Sequence, residues 1–228
     1  LRSNISMMLP HELRTPLNGI LAYGEMLASD PESLTPEEIK DMGLTIAQSG
    51  RALQRLIETF LAYSQLEMIR ADAKQIAALR EKPSVNADQI VEREATRIAA
   101  EVKRATDLRL QLSPVSVPIS EDYFAKLVNE LAHNAFKFSA PGRPVAISLS
   151  AAPEATVLLI SDQGRGMTAE QITKIGAFMQ FDRKTHEQQG LGLGLTIARR
   201  LAEIHGGNLS VQSEFGTGTT VTVKFPRK

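Results

Sequence analysis

The spacing of apolar residues predicts a long helix at the start of the chain. Within residues 3–28, His11, Thr15 and Asn18 fall on one helical face, at about 100° per residue, so His11 is expected to face solvent. Pro16 lacks an amide hydrogen for the helix, which is expected to bend there. The apolar residues recur at helical spacing on the other face: Leu9, Leu13, Ile20 and Leu27.

A second helix is predicted to begin at Thr35. Thr35 can cap it, Pro36 suits its first position, and Glu38 completes a capping box. The connection between the helices is short, so they are expected to be antiparallel neighbours. One helical hairpin buries too little apolar surface to be stable alone, so a dimer that forms a four-helix bundle is predicted. Apolar residues recur at heptad-like steps: Ile46, Leu53, Leu56, Phe60 and Tyr63.

The remaining pattern predicts a second domain. Residues 1–70 are assigned to the hairpin, residues 71–83 to a linker, and residues 84–228 to a domain in which helices and strands alternate. The mixture predicts an α/β sandwich, with one sheet covered by helices on one face. Helices are predicted from Asn86 to Thr106, from a Ser120 cap through Phe138, after a Thr168–Gln171 capping box, and over 193–205 up to Gly206-Gly207. Strands are predicted over Leu108–Leu112, Val145–Leu149, Thr156–Ile160, Leu209–Gln212 and Thr219–Phe225.

Composition narrows the possible functions. The chain has 228 residues and equal numbers of acidic and basic side chains, 26 of each. No global positive field is therefore available to attract nucleic acid or anionic lipid. The chain has no cysteine, which excludes disulfides and thiol chemistry. No uncharged run approaches the roughly 18 residues of a membrane helix. The chain begins inside a predicted helix, and we expect it to be part of a longer protein with a sensor or receiver upstream.

Three groups of residues in the second domain suit phosphate and nucleotide chemistry. Glu130, Asn134 and Lys137 share one helix face, where two oxygen donors and an ammonium suit a magnesium–triphosphate group, although a solvated polar face has the same pattern. A carboxylate and two glycines follow a strand at Asp162, Gly164 and Gly166, which is a ligand loop or an ordinary turn. Three more glycines lead into a helix N-terminus, which can bind phosphate: Gly190, Gly192 and Gly194.

Between these groups lies a polar stretch from Gly176 to Gln189, which contains Phe178 and Phe181. A stretch of this length without regular structure is typical of a functional loop, so a mobile lid is predicted.

The first helix carries a different kind of candidate. His11 places an imidazole beside the carboxylate of Glu12. One ring nitrogen of a neutral imidazole can act as a nucleophile, and a neighbouring carboxylate can accept the proton of the other. On composition alone, an exposed histidine is more often a plain surface residue. However, the string from His11 to Leu17, HELRTPL, resembles the phosphoacceptor box of sensor histidine kinases of the HisKA type.

The second domain resembles the GHKL ATP-binding fold, which histidine kinases share with Hsp90 and type II topoisomerases. The segments around Asn134, Asp162, Phe178 and Gly192 are similar, in order, to its N, G1, F and G2 boxes. The segment from Gly216 to Thr219 is similar to its closing G3 segment. Many histidine kinases carry Asn where this chain has Glu130, whereas other GHKL ATPases use Glu there to activate water.

This resemblance implies roles for individual residues. His11 is the phosphoacceptor, Glu12 polarises it, and Thr15 orients a water for dephosphorylation of a partner. Asn134 binds magnesium with help from Glu130, which is alternatively a base. The remaining nucleotide contacts are implied for the following residues: Lys137, Gly190, Gly192 and Gly194 on the phosphate side; Asp162, Gly164 and Gly166 on the adenine side; Phe178 and Phe181 as lid anchors; and Thr219 in the closing segment.

The resemblance implies a two-component kinase core that uses ATP and Mg²⁺. We expect a homodimer through residues 1–70, transfer of the phosphoryl group to a response-regulator receiver domain, and a phosphatase activity. No nucleic-acid or membrane contact is expected for this fragment, whose implied location is the cytoplasmic part of a larger sensor. Two alternatives stay open: a catalytically weak dimeric scaffold, and a GHKL ATPase without histidine transfer.

Overall fold

The computed structural model describes residues 2–29, 31–81, 85–173 and 193–227, and gives only the backbone for residues 2–9 and His11. The chain divides into two compact units. Among the described residues, the first unit consists of a helical part that ends at Ser64 and of Leu193. The second unit begins at Gln65, resumes at Gly194, and contains all the strands that the described residues form. Within the described residues, no helix combines the length and the apolarity that a membrane crossing requires.

Two long helices make up most of the first unit, as predicted. Helix α1 spans Arg2–Ser29, and α2 spans Pro36–Arg70, so its last turns lie in the second unit. The capping box at the start of α2 is confirmed. The amide of Thr35 donates to the carboxylate of Glu38 at 2.8 Å, and the amide of Glu38 donates to the Thr35 hydroxyl at 3.3 Å. Local hydrogen bonding therefore determines where α2 begins.

Residues 71–83 were predicted to be a linker, but most of them form a helix. Helix α3 spans Ala73–Arg80, and the Asp72 side chain caps it by accepting from the amides of Lys74 and Gln75. The guanidinium of Arg80 donates to the carbonyl of Ile204 at 2.8 Å. These residues therefore have regular structure and a fixed contact within the second unit.

The rest of the second unit is a mixed sheet with helices packed on one face, as predicted. The strand order is β2-β4-β5-β7-β6, in which β2 and β4 are parallel and the other neighbours antiparallel. The small strands β1 and β3 pair separately. The helices are α4 (Ala87–Glu101), α5 (Glu121–Phe138), α6 (Ala169–Thr173) and α7 (Gly194–Ile204); the strands are β1 (Val85–Asn86), β2 (Leu108–Leu112), β3 (Ser116–Val117), β4 (Val145–Ala151), β5 (Ala155–Asp162), β6 (Asn208–Glu214) and β7 (Gly218–Pro226).

Alternating burial along β5 shows how the core forms. Every second residue from Thr156 to Asp162 is buried, and the residues between them are partly exposed. The inward side chains meet α5, whose apolar stripe includes the fully buried Phe124 and Leu127. The period of two in the strand and of 3.6 in the helix thus bring the two apolar faces together. Asp162 is the last residue on the inward side of β5.

Two predicted features of the second unit were wrong in detail. The helix expected from Asn86 to Thr106 ends at Glu101, because Lys103 has a φ of 57° and turns the chain away. Ser120 occupies the N-cap position of α5, but its side chain makes no capping hydrogen bond.

The predicted end of the last helix is confirmed. Gly206 has a φ of 80°, its amide donates to Glu203, and the amide of Gly207 donates to Ala202. These two bonds are a Schellman cap, which requires the left-handed conformation that glycine adopts readily.

Candidate functional site

Asp162 is the most perturbed acidic group of the candidate site. Its carboxylate lies at the end of β5, 9% exposed, and accepts hydrogen bonds from the backbone amides of Gly164 (2.8 Å) and Thr219. Burial raises the pKa of Asp162 to about 6, although the two amide bonds oppose the shift. A buried carboxylate with remaining acceptor capacity suits a ligand that brings its own N–H donors, as an adenine amino group does.

The loop after Asp162 lies directly against the end of α5. A Cβ atom on Gly164 would collide with the carbonyl of Phe138, so only glycine fits there. The amide of Arg165 donates to the same carbonyl at 3.2 Å, and its guanidinium stacks on the Phe138 ring, 4.9 Å from the centroid. The backbone of Gly166 adjoins the carbonyl of Glu214 on the opposite side. The loop is thus held between α5 and the β6–β7 turn.

Ser213 ties this loop to β7. Its hydroxyl accepts from the amide of Met167 at 2.8 Å and donates to the carbonyl of Gly218 at 2.7 Å. It also lies 2.8 Å from the hydroxyl of Thr219, whose amide bonds Asp162. Thr219, predicted from the closing segment, therefore acts through its backbone on the predicted carboxylate.

The structure brings Glu130, Asn134 and Gly194 together. The Cβ position of Gly194 lies 2.7 Å from Oε2 of Glu130 and 3.2 Å from Nδ2 of Asn134. Gly194 is the first residue of α7, so two oxygen-bearing side chains meet the positive end of a helix. The other carboxylate oxygen of Glu130 pairs with Lys126 at 2.7 Å.

These oxygens fit a magnesium ion. The described residues contain no group of three or more acidic, histidine or cysteine side chains that could hold a metal. Mg²⁺ on a nucleotide needs only one or two protein ligands, because phosphates and water supply the rest. Asn134 and Glu130 offer that number at the N-terminus of α7, where phosphates bind favourably.

Lys137 lies one turn beyond Asn134 on α5. It is exposed, and its ammonium lies 5.4 Å from the centroid of the Phe138 ring. Lys137 therefore places an ammonium group at the exposed C-terminal end of α5, one turn from Asn134.

The phosphoacceptor candidates lie in the first unit. His11 is part of α1, and its side chain is outside the described ones. Glu12 is buried at 8% exposure, whereas Thr15 is exposed, as predicted for its face of the helix. Four other predicted residues lie outside the described part of the chain: Phe178, Phe181, Gly190 and Gly192.

Sequence reasoning missed Arg104, Arg165 and Ser213. Arg104 is buried and makes hydrogen bonds with residues 32 to 39 positions further along the chain. It also holds the pKa of Asp107 below its ordinary value by a hydrogen bond to that carboxylate. A run of adjacent basic residues at 103–104 gave no sign of this. The Gly-x-Gly pattern could have pointed to Arg165, since its intervening residue must lie beside the ligand loop.

A groove of about 570 Å³ lies elsewhere on the second unit, bounded by the start of α4 and strand β3. It includes Thr156, at the end of β5 opposite to Asp162. None of the predicted site residues lines it. Its size therefore does not bear on the site described above, which is defined by side-chain chemistry.

Comparisons with known proteins match both parts of the chain. Residues 1–69 match the His Kinase A (phospho-acceptor) domain, and residues 119–228 match the histidine kinase-, DNA gyrase B- and HSP90-like ATPase family. An uncharacterized sensor-like histidine kinase of Rhizobium meliloti is 30% identical over 227 residues, which are 95% of this chain and 41% of the relative. Sensor protein SrrB of Staphylococcus aureus is 28% identical over 95% of this chain and 36% of its own length.

A solved structure is similar over almost the whole chain. Acinetobacter baumannii histidine kinase AdeS superposes with a TM-score of 0.66 at 20% identity, over 95% of this chain and 97% of that one. At this identity the similarity supports the fold alone. The chain spans about two fifths of the curated relatives it matches.

The phosphoacceptor domain comes first and the ATPase domain second, and this order accounts for both units. The chain belongs to the sensor histidine kinases of two-component systems, of which it is a catalytic core with an ATP-binding domain of the GHKL type.

Proposed function

We propose that this core transfers the γ-phosphoryl group of Mg-ATP to His11 and then to an aspartate of a receiver domain. The observation that carries the proposal is the combination of two features. The chain has the HisKA box in α1, and the α/β unit has a cradle in which Asp162 and Gly164 offer contacts for the base of a nucleotide, and Asn134 and Gly194 for its phosphates and their metal ion.

Nucleotide binding divides among the cradle residues. Asp162 accepts a hydrogen bond from the adenine amino group, and Gly164 lets the base approach the backbone. Lys137 and the amides at the start of α7 contact the phosphates. Asn134 and Glu130 would hold Mg²⁺, which would supply positive charge to neutralise the negative charge that develops on the phosphates.

Phosphoryl transfer depends on the first helix. The unprotonated ring nitrogen of His11 attacks the γ-phosphorus, the bond from that phosphorus to the bridging oxygen breaks, and ADP leaves. Glu12 stabilises the proton on the other ring nitrogen as the ring becomes positively charged. The phosphoryl group then passes to the receiver carboxylate, which returns His11 to its neutral form.

Thr15 is proposed to take part in dephosphorylation of the receiver domain. It is exposed and follows His11 by one helical turn, so its hydroxyl can orient a water toward a phosphorylated receiver. Thr15→Ala is expected to slow receiver dephosphorylation and to leave labelling of His11 at the wild-type rate. An unchanged dephosphorylation rate would remove Thr15 from the mechanism.

A dimer is proposed through the first unit. Ile39, Ile57 and Leu61 are 41%, 46% and 59% exposed. They fall on one face of α2, since 18 residues are five full helical turns and 57 and 61 are one turn apart. An exposed apolar face of this kind is stabilised by packing on a second copy.

Radiolabelled Mg-ATP tests the proposal, with wild type beside His11→Gln. Label on the wild type alone, lost in acid and kept in alkali, is the expected result. Nucleotide binding by His11→Gln should match wild type, because His11 is not among the residues proposed to bind the nucleotide. Label on both proteins, or ATP binding without label on either, would contradict the assignment.

Glu130 has a separate test, because its carboxylate has a candidate role in catalysis. Glu130→Gln keeps the shape and removes the charge beside Asn134. We expect slower labelling of His11 at unchanged binding of ADP without metal. An unchanged rate would reduce Glu130 to a structural residue.

A further inference from the structure

Among the side chains that the structure describes outside the predicted site, Arg104 makes the most hydrogen bonds, and it is 7% exposed. It lies in the connection between α4 and β2 and reaches across to the end of α5. Its Nε donates to Oδ2 of Asp107 at 2.7 Å. Its two terminal nitrogens donate to four backbone carbonyls, at 2.7 to 3.0 Å: those of Phe136, Ser139, Ala140 and Arg143.

These carbonyls belong to the end of α5 and to the turn that follows it, where the backbone needs hydrogen-bond donors from outside the helix. The last carbonyls of a helix have no partner within the helix, and they carry the negative end of its dipole. The Arg104 guanidinium satisfies one of them, at Phe136, together with three carbonyls of the turn that follows the helix, because its donors form a planar fork. Asp107 reinforces the arrangement by accepting from the amide of Gly142 at 2.9 Å. The turn from Phe136 to Arg143 is therefore fixed from one side by a single ion pair.

The same segment faces the nucleotide cradle on its other side. Phe138 lies between the bonded residues Phe136 and Ser139. Its carbonyl accepts from the amide of Arg165 and closely approaches Gly164. Gly164 in turn donates to Asp162 at 2.8 Å. A shift of the Phe138 carbonyl would thus move the loop that presents the carboxylate.

We propose that Arg104 is a positioning residue for nucleotide binding, which acts by holding the end of α5 against the Asp162–Gly166 loop. The inference rests on the proposed function only in taking this loop as part of a nucleotide site. Arg104 itself touches no substrate. Its contribution is the fixed place of the Phe138 carbonyl and of Lys137 beside it.

The test compares matched substitutions in the whole chain, all on the His11→Gln background, so that phosphotransfer plays no part. Arg104→Lys keeps the charge and loses the fork. Arg109→Lys is the control for the chemical change, because exposed Arg109 bonds only the local carbonyls of Thr106 and Leu108 in the hydrogen bonds described. Phe225→Leu is the control for lost stability, since Phe225 is fully buried opposite Thr156, at the far end of β5.

Calorimetry with ATP and ADP, well below the Tm of each variant, gives the readout. Arg104→Lys is expected to raise both Kd values by about 10-fold or more, since small misplacements of binding groups are costly. Both controls should keep the Kd of the background protein. Amide exchange should be faster at Gly164 and Arg165 in Arg104→Lys and unchanged in Phe225→Leu.

Unchanged affinity in Arg104→Lys would overturn the proposal and leave Arg104 a purely structural residue, as would an equal loss in Phe225→Leu. If Arg104→Lys does not fold, Asp107→Asn serves instead, because it weakens the anchor of the guanidinium with little change of shape. Asp107→Asn is then expected to raise both Kd values by a smaller factor than Arg104→Lys, and unchanged Kd values would overturn the proposal. Failure of His11 labelling in the wild type would remove the proposed function and leave this comparison intact.

Discussion

The two units differ in how completely they bury their apolar residues. Up to Ser64, the buried hydrophobic residues among the described side chains of the helical unit are Met42, Leu56 and Tyr63. Over the same residues, large apolar side chains remain exposed at Leu17, Leu21, Met26, Ile39, Leu44, Ile57 and Leu61. In the α/β unit, the sheet and α4, α5 and α7 enclose a core in which side chains such as Phe124, Leu127 and Ile98 are fully buried.

This difference matches the proposed division of labour. Nucleotide binding needs a rigid cradle, and the α/β unit provides one from its own core. The helical unit carries the phosphoacceptor on a hairpin that is completed by a second copy in the proposed dimer. A substitution in the first unit should therefore affect formation of the dimer, and one in the second unit should affect nucleotide binding.

Two glycine substitutions make the strongest contrast. Gly164→Ala would drive a Cβ into the Phe138 carbonyl, so we expect nucleotide affinity to fall by about 100-fold or more. Gly43→Ala, in α2, meets nothing within 4 Å and should stabilise the helix by about 1 kcal/mol. Calorimetric titration and thermal unfolding of both variants check this. If the two substitutions changed nucleotide affinity and thermal stability to the same extent, the contrast between a tightly packed loop and an open helix position would not hold.

Asp162 is expected to make the stability of the α/β unit depend on pH. Because its folded pKa of about 6 lies above the ordinary value of 3.8, the folded state binds the proton more tightly. Its contribution to stability is therefore most favourable below pH 4 and is lost as pH rises to 6, by about 3 kcal/mol. Asp162→Asn should be more stable than wild type at pH 7.5 and equally stable near pH 4.

The same substitution should weaken nucleotide binding, because the amide lacks the negative charge of the acceptor. Wild-type affinity should likewise fall as pH drops through 6 and the carboxylate is protonated. Urea unfolding and titration between pH 4 and 8 measure both effects. Parallel stability curves for the two proteins would show that Asp162 is not the titrating group.

A charged residue at an exposed apolar position of the helical unit tests whether that position lies in the proposed dimer interface. Leu61→Lys removes an apolar contact from the proposed interface, and the dimer Kd should rise by about 10-fold or more. Phe215→Lys is the matched control, since Phe215 is 62% exposed and lies in the β6–β7 turn of the other unit, against 59% for Leu61. Sedimentation equilibrium should show a shift for the first variant alone. An unshifted Leu61→Lys would place the dimer contact elsewhere.

The capping box of α2 gives the smallest effect. Thr35→Ala removes the hydroxyl that accepts from Glu38, and the free energy of unfolding of the helical unit should fall by about 1 kcal/mol. Nucleotide affinity should not change, because the effect is local to the first unit. A Tm equal to wild type would mean that the Thr35 backbone alone suffices to start the helix.

Sequence patterns predicted the elements better than their contacts. The start of α2 and the end of α7 were correct because each depends on neighbours within four or five positions. The bounds of the strand Leu108–Leu112 were also correct, although this strand pairs with β4, which lies 37 positions further along the chain. The helix within residues 71–83 was not predicted, because α3 is stabilised partly from outside, through Arg80 and the end of α7. Local composition carries no record of such a contact.

The candidate site shows the same division. Glu130, Asn134, Asp162 and Gly164 were found from spacing and resemblance, and the structure adds how they are held. Ser213 bonds Met167 from 46 positions away, and Arg104 bonds Phe136 from 32. A pairing over such a distance depends on the strand order and on the packing of α5, which no short pattern contains.

By itself, the sequence determined the chemistry: an imidazole beside a carboxylate, glycines before a helix, and apolar faces with helical or strand periods. These follow from side-chain identity and local spacing. Only the tertiary structure decided that Asp162 is buried deeply enough to raise its pKa to about 6, and that Arg104 holds the end of α5. Both depend on the surroundings that distant segments create, because desolvation and buried hydrogen bonds arise only when those segments pack together.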